Sequence, residues 1–142
     1  MPSRAVVFVS EACDGLGGHR LSEIMGDAAD FNRRASVTGV ILFDGRRFLG
    51  YMDGPPDGLD VAFLRAVGAT SHWNLIEIAR GRVGQSRLPY WSMRCISVSP
   101  PELVQLVGAD WTGFPQRGQD QVPPASAMEM LVALAEPFAE SA

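Results

Sequence analysis

The chain has 142 residues, of which 46% are hydrophobic and 20% are charged. This length is typical of one domain with a core of ordinary size. The formal net charge of -4 argues against a surface that binds nucleic acid or an anionic membrane. The sequence has no apolar run that would span a bilayer, and its two cysteines are far apart without CxxC neighbours. We therefore expect a cytoplasmic protein with reduced thiols that binds neither nucleic acid nor membrane.

The first part of the chain predicts a strand, a helix and a hairpin. The β-branched run AVVFVS predicts a strand, and the glycine-rich DGLGG after it predicts a loop. Apolar residues recur at helical spacing from Leu21 to Phe31, which predicts a helix. The runs SVTGVILF and RRFLGYMD flank Asp44 and Gly45, a pair that favours a tight hairpin turn. We therefore expect two antiparallel neighbouring strands here.

The second part predicts another helix, two strands and a helical tail. A helix is expected up to about Ala69, followed by the strands NLIEIA and YWSMRCISV. The complete order predicts an α+β, ferredoxin-like βαββαββ fold with a five-stranded mixed sheet and two helices on one face. The run VILF is apolar on both faces, so C-terminal helices should cover the other face or contact a partner chain. We therefore divide the chain into a domain at 1–98 and a C-terminal helical extension at 99–142.

Several polar residues carry only weak functional signals. The glycines after the first strand lack the spacing of a dinucleotide-binding fingerprint. His19 and His72 have no serine, cysteine or carboxylate motif beside them, so we interpret both as solvent-exposed. Asp53, Asp57 and Asp60 surround a turn, where aspartate commonly serves as a cap. We assign catalysis to none of these residues.

Gly50 stands inside the predicted strand RRFLGYMD, where a side chain is normally expected. Glycine in a strand costs backbone entropy and leaves a hole. Such a glycine usually marks a bulge or a place where another group approaches the backbone closely. The sequence raises the question of which group, if any, lies close to Gly50.

From Phe8 to Met93 the sequence resembles the BLUF family, whose blue-light sensor domains hold FAD non-covalently between two helices. The matching segments are FVSEA, the pattern L..IM..A...N ending at Asn32, TGVILFDGRRF, the DG at 53–54, Phe63, His72 and R...WSM at 87–93. The resemblance implies a flavin photoreceptor that is not an enzyme. It also implies signalling through a protein partner or through a homo-oligomer.

The resemblance implies several flavin-site residues. Asn32 matches an asparagine that hydrogen-bonds the polar edge of the flavin, and Arg87 matches a basic residue that contacts a flavin carbonyl. Trp91 and Met93, which we expect on the fifth strand, match a pair that moves during signalling. Ile24 would contact the ring system. Each residue also has an ordinary explanation, such as a helix end, a surface arginine or a core strand.

Two positions depart from the family in a way that concerns its chemistry. The family's light reaction uses a tyrosine on the first strand and a glutamine on the third, where this chain has Phe8 and Gly50. Phenylalanine has no hydroxyl and glycine has no amide, so the usual photocycle is expected to be lost. Phe31 replaces a further polar contact, whereas Ser10 of FVSEA is retained as a flavin-site residue. Two alternatives remain open: weakened binding of FAD, or a flavin-free BLUF-like interaction module.

Overall fold

The computed structural model describes residues 3–83, 86, 88–111 and 127–140. The elements in chain order are β1 (Ser3–Ala12), α1 (Gly18–Arg34), β2 (Thr38–Phe43), β3 (Arg47–Gly54), α2 (Pro56–Val67), β4 (His72–Val83), β5 (Cys95–Ser97), α3 (Pro100–Val107) and α4 (Ala127–Glu140). The predicted α+β class and the predicted order of strands and helices are confirmed. In the part of the chain that the structure describes, no helix has the length and apolarity that a membrane crossing requires.

The five strands form one mixed sheet in the order β4-β1-β3-β2-β5. β1 pairs with β3 and β4, and β2 pairs with β3, all antiparallel, whereas β2 and β5 are parallel. The predicted hairpin joins β2 and β3. Its turn is fixed by Asp44, whose Oδ1 accepts hydrogen bonds from the backbone N–H groups of Arg46 and Arg47 at 2.9 and 2.8 Å. Gly45 supplies the positive φ of 101° that this turn requires.

Successive side chains of a strand point to opposite faces, so the sheet can pack against helices on both sides. Here it lies between two helical layers. One core contains Val6, Phe8, Val37 and Met52 together with Leu59 and Ala62 of α2. The core on the other face contains Val7, Leu49 and Tyr51 together with Leu103 of α3 and Leu131 of α4. The expectation that C-terminal helices cover the second face is therefore confirmed. The division of the chain into 1–98 and 99–142 stays a prediction.

The last two strands of the sheet differ from their predicted extents. β4 is longer than NLIEIA because it follows β1 over most of its length, with two irregularities in register. β5 is only three residues long, so the prediction of a strand through YWSMRCISV is wrong for Trp91 and Met93. The carbonyls of Trp91 and Arg94 accept hydrogen bonds from β2 amides. The carbonyl of Ser92 instead accepts a hydrogen bond from the side chain of Asn32, so this carbonyl does not pair with β2.

Candidate functional site

A cleft with a volume of about 60 Å³ lies between α1 and α2 on one face of the sheet. Most of its lining is apolar, with a few polar side chains. The lining residues are Phe8, Leu21, Ile24, Met25, Ala28, Asn32, Ile41, Phe48, Met52, Ala62, Arg65, Ala66, Ala69, Ser71, His72 and Met93. The cleft therefore combines apolar walls with a small number of possible hydrogen-bonding groups, as small-molecule sites commonly do.

The apolar side of α1 is only partly covered by protein. Within α1, every residue of which the structure describes, only Asn32 is buried. Leu21, Ile24, Met25 and Ala28 lie on the cleft side at helical spacing and are half-buried. An amphipathic helix normally buries its apolar stripe against a core. The uncovered stripe of α1 is therefore a surface suited to a flat apolar ligand.

Asn32 is the polar group at the base of the cleft, near the end of α1. Its side chain is held in place, since the residue is only 3% exposed and Nδ2 donates to the carbonyl of Ser92 at 3.0 Å. Nδ2 also lies 3.9 Å from the sulfur of Met52. Within the described residues, Oδ1 has no hydrogen-bond partner. A buried acceptor without a partner costs about 1–3 kcal/mol, so this oxygen is suited to an N–H donor from a ligand.

Phe8 and Gly50 are directly opposite each other on β1 and β3. A Cβ on Gly50 would overlap Cζ of Phe8 and would lie 2.6 Å from its Cε2. The ring of Phe8 therefore lies over Gly50, and it also packs against Phe63 with ring centres 5.9 Å apart. The group that lies close to Gly50 is therefore the side chain of Phe8. The two departures from the family thus form one packing arrangement, in which a ring fills the space that glycine leaves.

Ser10 and His72 form a hydrogen-bonded pair at one end of the cleft. His72 Nδ1 lies 2.6 Å from Ser10 Oγ, and Nε2 lies 2.7 Å from the carbonyl oxygen of Ala66. A carbonyl only accepts, so Nε2 donates, and in the neutral ring Nδ1 accepts from the serine hydroxyl. The prediction of an exposed His72 without a serine beside it is wrong, because the β1–β4 pairing joins residues distant in sequence. The pair connects β1, β4 and α2. Ser10 is only 2% exposed, so its hydroxyl is not an accessible nucleophile.

Asp53 is a buried carboxylate on the opposite face of the sheet. It accepts hydrogen bonds from the hydroxyls of Tyr51 at 2.6 Å, Thr38 at 2.9 Å and Ser86 at 3.0 Å. Burial raises the pKa of Asp53 above its usual value, and the three hydroxyl hydrogen bonds oppose that rise. The prediction of a turn or cap role for Asp53 is wrong. Its hydrogen bonds instead join β2 and β3 to Ser86, which lies between β4 and β5.

The raised pKa of Asp53 predicts a pH dependence that Asp53→Asn should remove. The folded protein binds this proton more tightly than the unfolded chain, in which the pKa is about 3.9. The contribution of Asp53 to the free energy of unfolding should therefore decrease as pH rises from about 4 through the raised pKa, and stay constant above it. Urea unfolding at several pH values would measure this in both proteins. Two curves that remain parallel over this range would contradict the prediction.

Trp91 and Met93 lie on opposite sides of the sheet. Met93 lines the cleft and packs against the core that contains Phe8. Trp91 packs against the other core, which includes α3 and α4. The family resemblance treats the two residues as a pair, whereas the irregular backbone before β5 directs their side chains apart.

The structure brings four of the predicted flavin-site residues together in the cleft: Phe8, Ile24, Asn32 and Met93. Arg87 lies outside the described residues. The flavin-binding roles of these residues stay predictions.

Arg65 on α2 is a cleft residue that the sequence analysis did not select. Its guanidinium carbon lies 5.2 Å from the ring centre of Phe31 on α1. Phe31, which replaces a polar residue of the family, therefore takes part in a cation–π contact between the two helices. Only the spatial approach of α1 and α2 shows this contact, since nothing in the local sequence around Arg65 indicates it.

The sequence matches the BLUF family, described as sensors of blue light using FAD, over residues 4–94. The chain belongs to the BLUF family. This confirms the resemblance inferred from the sequence motifs. No curated protein matches the chain.

Three solved structures show that this BLUF chain shares its fold with other proteins. BlrB, a BLUF protein in its dark state, is 20% identical with a TM-score of 0.72, over 99% of this chain and 98% of BlrB. BlsA in its photo-activated state is 16% identical with a TM-score of 0.66, over 74% of this chain and 76% of BlsA. BlrP1 with FMN and cyclic diGMP is 20% identical with a TM-score of 0.62, over 67% of this chain and 26% of BlrP1. Another structure of BlrP1, from Klebsiella pneumoniae, has 24% of its chain covered, so this BLUF chain spans about a quarter of that protein.

Proposed function

We propose that this BLUF chain binds a flavin between α1 and α2 but does not carry out the usual BLUF photocycle. The observation that carries the proposal is Oδ1 of Asn32, a buried acceptor at the cleft without a partner in the described residues. The polar edge of an isoalloxazine ring has an N–H between two carbonyls. An asparagine amide can accept from that N–H through Oδ1 and can use Nδ2 as a donor.

The apolar stripe of α1 supports the same ligand. An isoalloxazine ring is flat and mostly apolar on its faces, and it would cover Ile24 and its neighbours on this half-buried side of the helix. The cleft volume of about 60 Å³ is well below the roughly 300–1,000 Å³ of typical ligand pockets. α1 and α2 must therefore move apart to admit the ring. We accordingly expect FAD to bind more weakly than in a BLUF domain whose pocket is already open.

The packing of Phe8 on Gly50 supports the loss of the photocycle. A bound flavin supplies the absorption of blue light, whereas the family's reaction also needs the tyrosine hydroxyl and the glutamine amide. Phe8 has no hydroxyl to donate, and its ring occupies the space that a side chain at position 50 would need. The remaining cleft residues can hold and orient a flavin, but they do not replace this pair.

The absorption spectrum of the purified chain tests both parts of the proposal. We expect protein incubated with FAD to retain a blue flavin band after gel filtration and to release FAD on denaturation. Blue light should produce no reversible red shift of that band, because the tyrosine–glutamine relay is missing. A red shift that decays in the dark would refute the loss of the photocycle. Failure to retain FAD or FMN would refute flavin binding.

A flavin-free interaction module is the second candidate function. The observation that favours it is the closure of the cleft, in which the ring of Phe8 already fills the core above Gly50. In that case the chain would act through a protein partner or through self-association. The same gel filtration would show a colourless protein, and the elution volume would report whether it associates with itself.

A further inference from the structure

A second cavity, of about 480 Å³, lies at the end of the sheet where α1 begins. It is lined by residues 11–17, by Gly45 and Arg46 of the β2–β3 turn, and by Trp73 of β4, and we name it the end cavity. Its volume falls within the roughly 300–1,000 Å³ of typical ligand pockets, whereas the cleft has only about 60 Å³. The end cavity can therefore hold a part of a ligand for which the cleft has no room.

The end cavity adjoins the cleft along both α1 and β4. Gly17 lines the end cavity and Leu21 lines the cleft. These two residues are one helical turn apart, since the amide of Leu21 donates to the carbonyl of Gly17 at 2.9 Å. His72 lines the cleft, and the next residue, Trp73, lines the end cavity. A ligand that extends out of the cleft past Leu21 and His72 therefore reaches the end cavity.

Trp73 is an exposed indole that an irregular stretch of β4 places at the end cavity. The residue is 57% exposed, whereas tryptophan is usually well buried. From Ile76 to Trp73, β4 advances three residues while its partner β1 advances two, so β4 carries one extra residue there. Within this bulge Asn74 has a φ of 56°, in the left-handed region. The backbone, rather than the side chain of Asn74, thus sets the direction of Trp73, as bulges beside binding sites commonly do.

The charges of the end cavity favour a ligand of mixed polarity. Glu11 and Asp14 contribute carboxylates, which repel a ligand that is anionic throughout but accept hydrogen bonds from an amine. Arg46 contributes a guanidinium, which donates to phosphate oxygens. The open face of an indole stacks on a nucleic-acid base. Together these groups suit the nucleotide end of a dinucleotide, which combines a flat base, an exocyclic amine and a pyrophosphate.

We propose that the end cavity binds the adenine nucleotide end of FAD, with the base stacked on Trp73, so that this chain prefers FAD to FMN. The inference rests on the flavin binding proposed above. With the polar edge of the flavin at Asn32, near the end of α1, the rest of FAD extends toward the beginning of the same helix. There the base covers the exposed face of Trp73, and Arg46 donates to a pyrophosphate oxygen. FMN has no adenine nucleotide, so it gains neither the stacking contact nor the amine hydrogen bonds.

Equilibrium dialysis of the full chain against FAD and against FMN, both in the dark, tests the inference. Flavin absorption on the two sides of the membrane gives both dissociation constants. Stacking of one base on an aromatic side chain changes affinity by about 5- to 150-fold, so we expect FAD to bind at least about fivefold more tightly than FMN. Equal constants, or a preference for FMN, would overturn the inference and leave flavin binding intact. If the protein binds neither flavin, the flavin proposal fails, and the inference fails with it.

Trp73→Ala tests the stacking contact itself. Its affinity for FAD should fall close to its affinity for FMN, while the dissociation constant for FMN should stay that of the unmodified chain. Trp73→Phe keeps an aromatic face and should retain most of the preference for FAD. Ile76→Ala is the matched control, because Ile76 is a 52% exposed apolar residue of the same strand that does not line the end cavity, and it should keep the full preference.

The variants separate a local stacking contact from a general effect on the fold. Urea unfolding should show that Trp73→Ala is folded under the dialysis conditions, since it removes a mostly exposed side chain. A folded Trp73→Ala protein that still prefers FAD as strongly as the unmodified chain would overturn the inference, as would an equal loss of preference in Ile76→Ala. If Trp73→Ala does not fold, the comparison of FAD with FMN in the unmodified chain still decides the matter.

Discussion

Asn32→Ala is expected to raise the dissociation constant for FAD by about 5- to 150-fold. The variant removes the buried amide that we assign to the polar edge of the flavin. The loss corresponds to about 1–3 kcal/mol, because a flavin group that was hydrogen-bonded would be buried without a partner. Quenching of FAD fluorescence during titration with protein would measure the constant for both proteins.

Asn74→Gly is the matched control for Asn32→Ala. Asn74 is an exposed asparagine whose amide donates to Glu11, and its φ of 56° is one that glycine adopts without strain. Its FAD affinity should equal that of the unmodified chain. Asn32→Ala also leaves the carbonyl of Ser92 without its donor, so urea unfolding must show that the variant is folded under the titration conditions. Unchanged FAD affinity in folded Asn32→Ala would place the ligand outside this cleft.

The order of the elements could be predicted because it depends on local patterns. Helical spacing of apolar residues indicated α1 and α2, and the Asp44–Gly45 pair indicated the hairpin. The extents of the last two strands could not be predicted in this way. β4 is long because β1 offers it a partner, and β5 is short because the carbonyl of Ser92 bonds the side chain of Asn32, sixty residues away in sequence. A strand pattern in YWSMRCISV cannot show such a competing partner.

Polar contacts between residues that are far apart in the sequence could not be predicted from the sequence either. Ser10 meets His72 only because β1 and β4 are paired, and Asp53 meets Thr38 only because β2 and β3 pair in one particular register. A register change of one residue would reverse the face of every side chain on a strand. The local sequence around Asp53 favours a turn, and this preference misled the prediction.

Some of the residues selected from the sequence lie together in one cleft, but the shape of that cleft could not be predicted. The family resemblance selected Asn32, Ile24 and Met93, which the fold does bring to one cleft. The same resemblance indicated that Phe8 and Gly50 stand where the family has its photoactive residues. It could not show that the ring of Phe8 covers Gly50, since this depends on the strand register and on the rotamer of Phe8. Whether the space at Gly50 is open or filled depends on the orientation of one side chain, that of Phe8.

Phe8→Tyr combined with Gly50→Gln is expected to restore a light-induced red shift in the FAD-loaded protein, whereas neither single variant should do so. The pair returns both the hydroxyl and the amide that the family's reaction uses. Gly50→Gln alone forces its Cβ against the ring of Phe8, which should cost about 1–3 kcal/mol of stability through overpacking. Phe8→Tyr alone buries a hydroxyl without an assigned partner, at a similar cost of about 1–3 kcal/mol.

The two substitutions should be coupled because they occupy the same space. A glutamine at position 50 fits only if the ring at position 8 turns away from β3, and a ring that has turned can bring its hydroxyl within reach of the new amide. The loss of unfolding free energy in the double variant should therefore be smaller than the sum of the two single losses, by about 0.5–3 kcal/mol. Urea unfolding of all four proteins gives this coupling, and spectra before and after blue light give the photochemistry. A double variant that is folded and holds FAD but shows no red shift would mean that the rest of the cleft, including Phe31, also prevents the reaction.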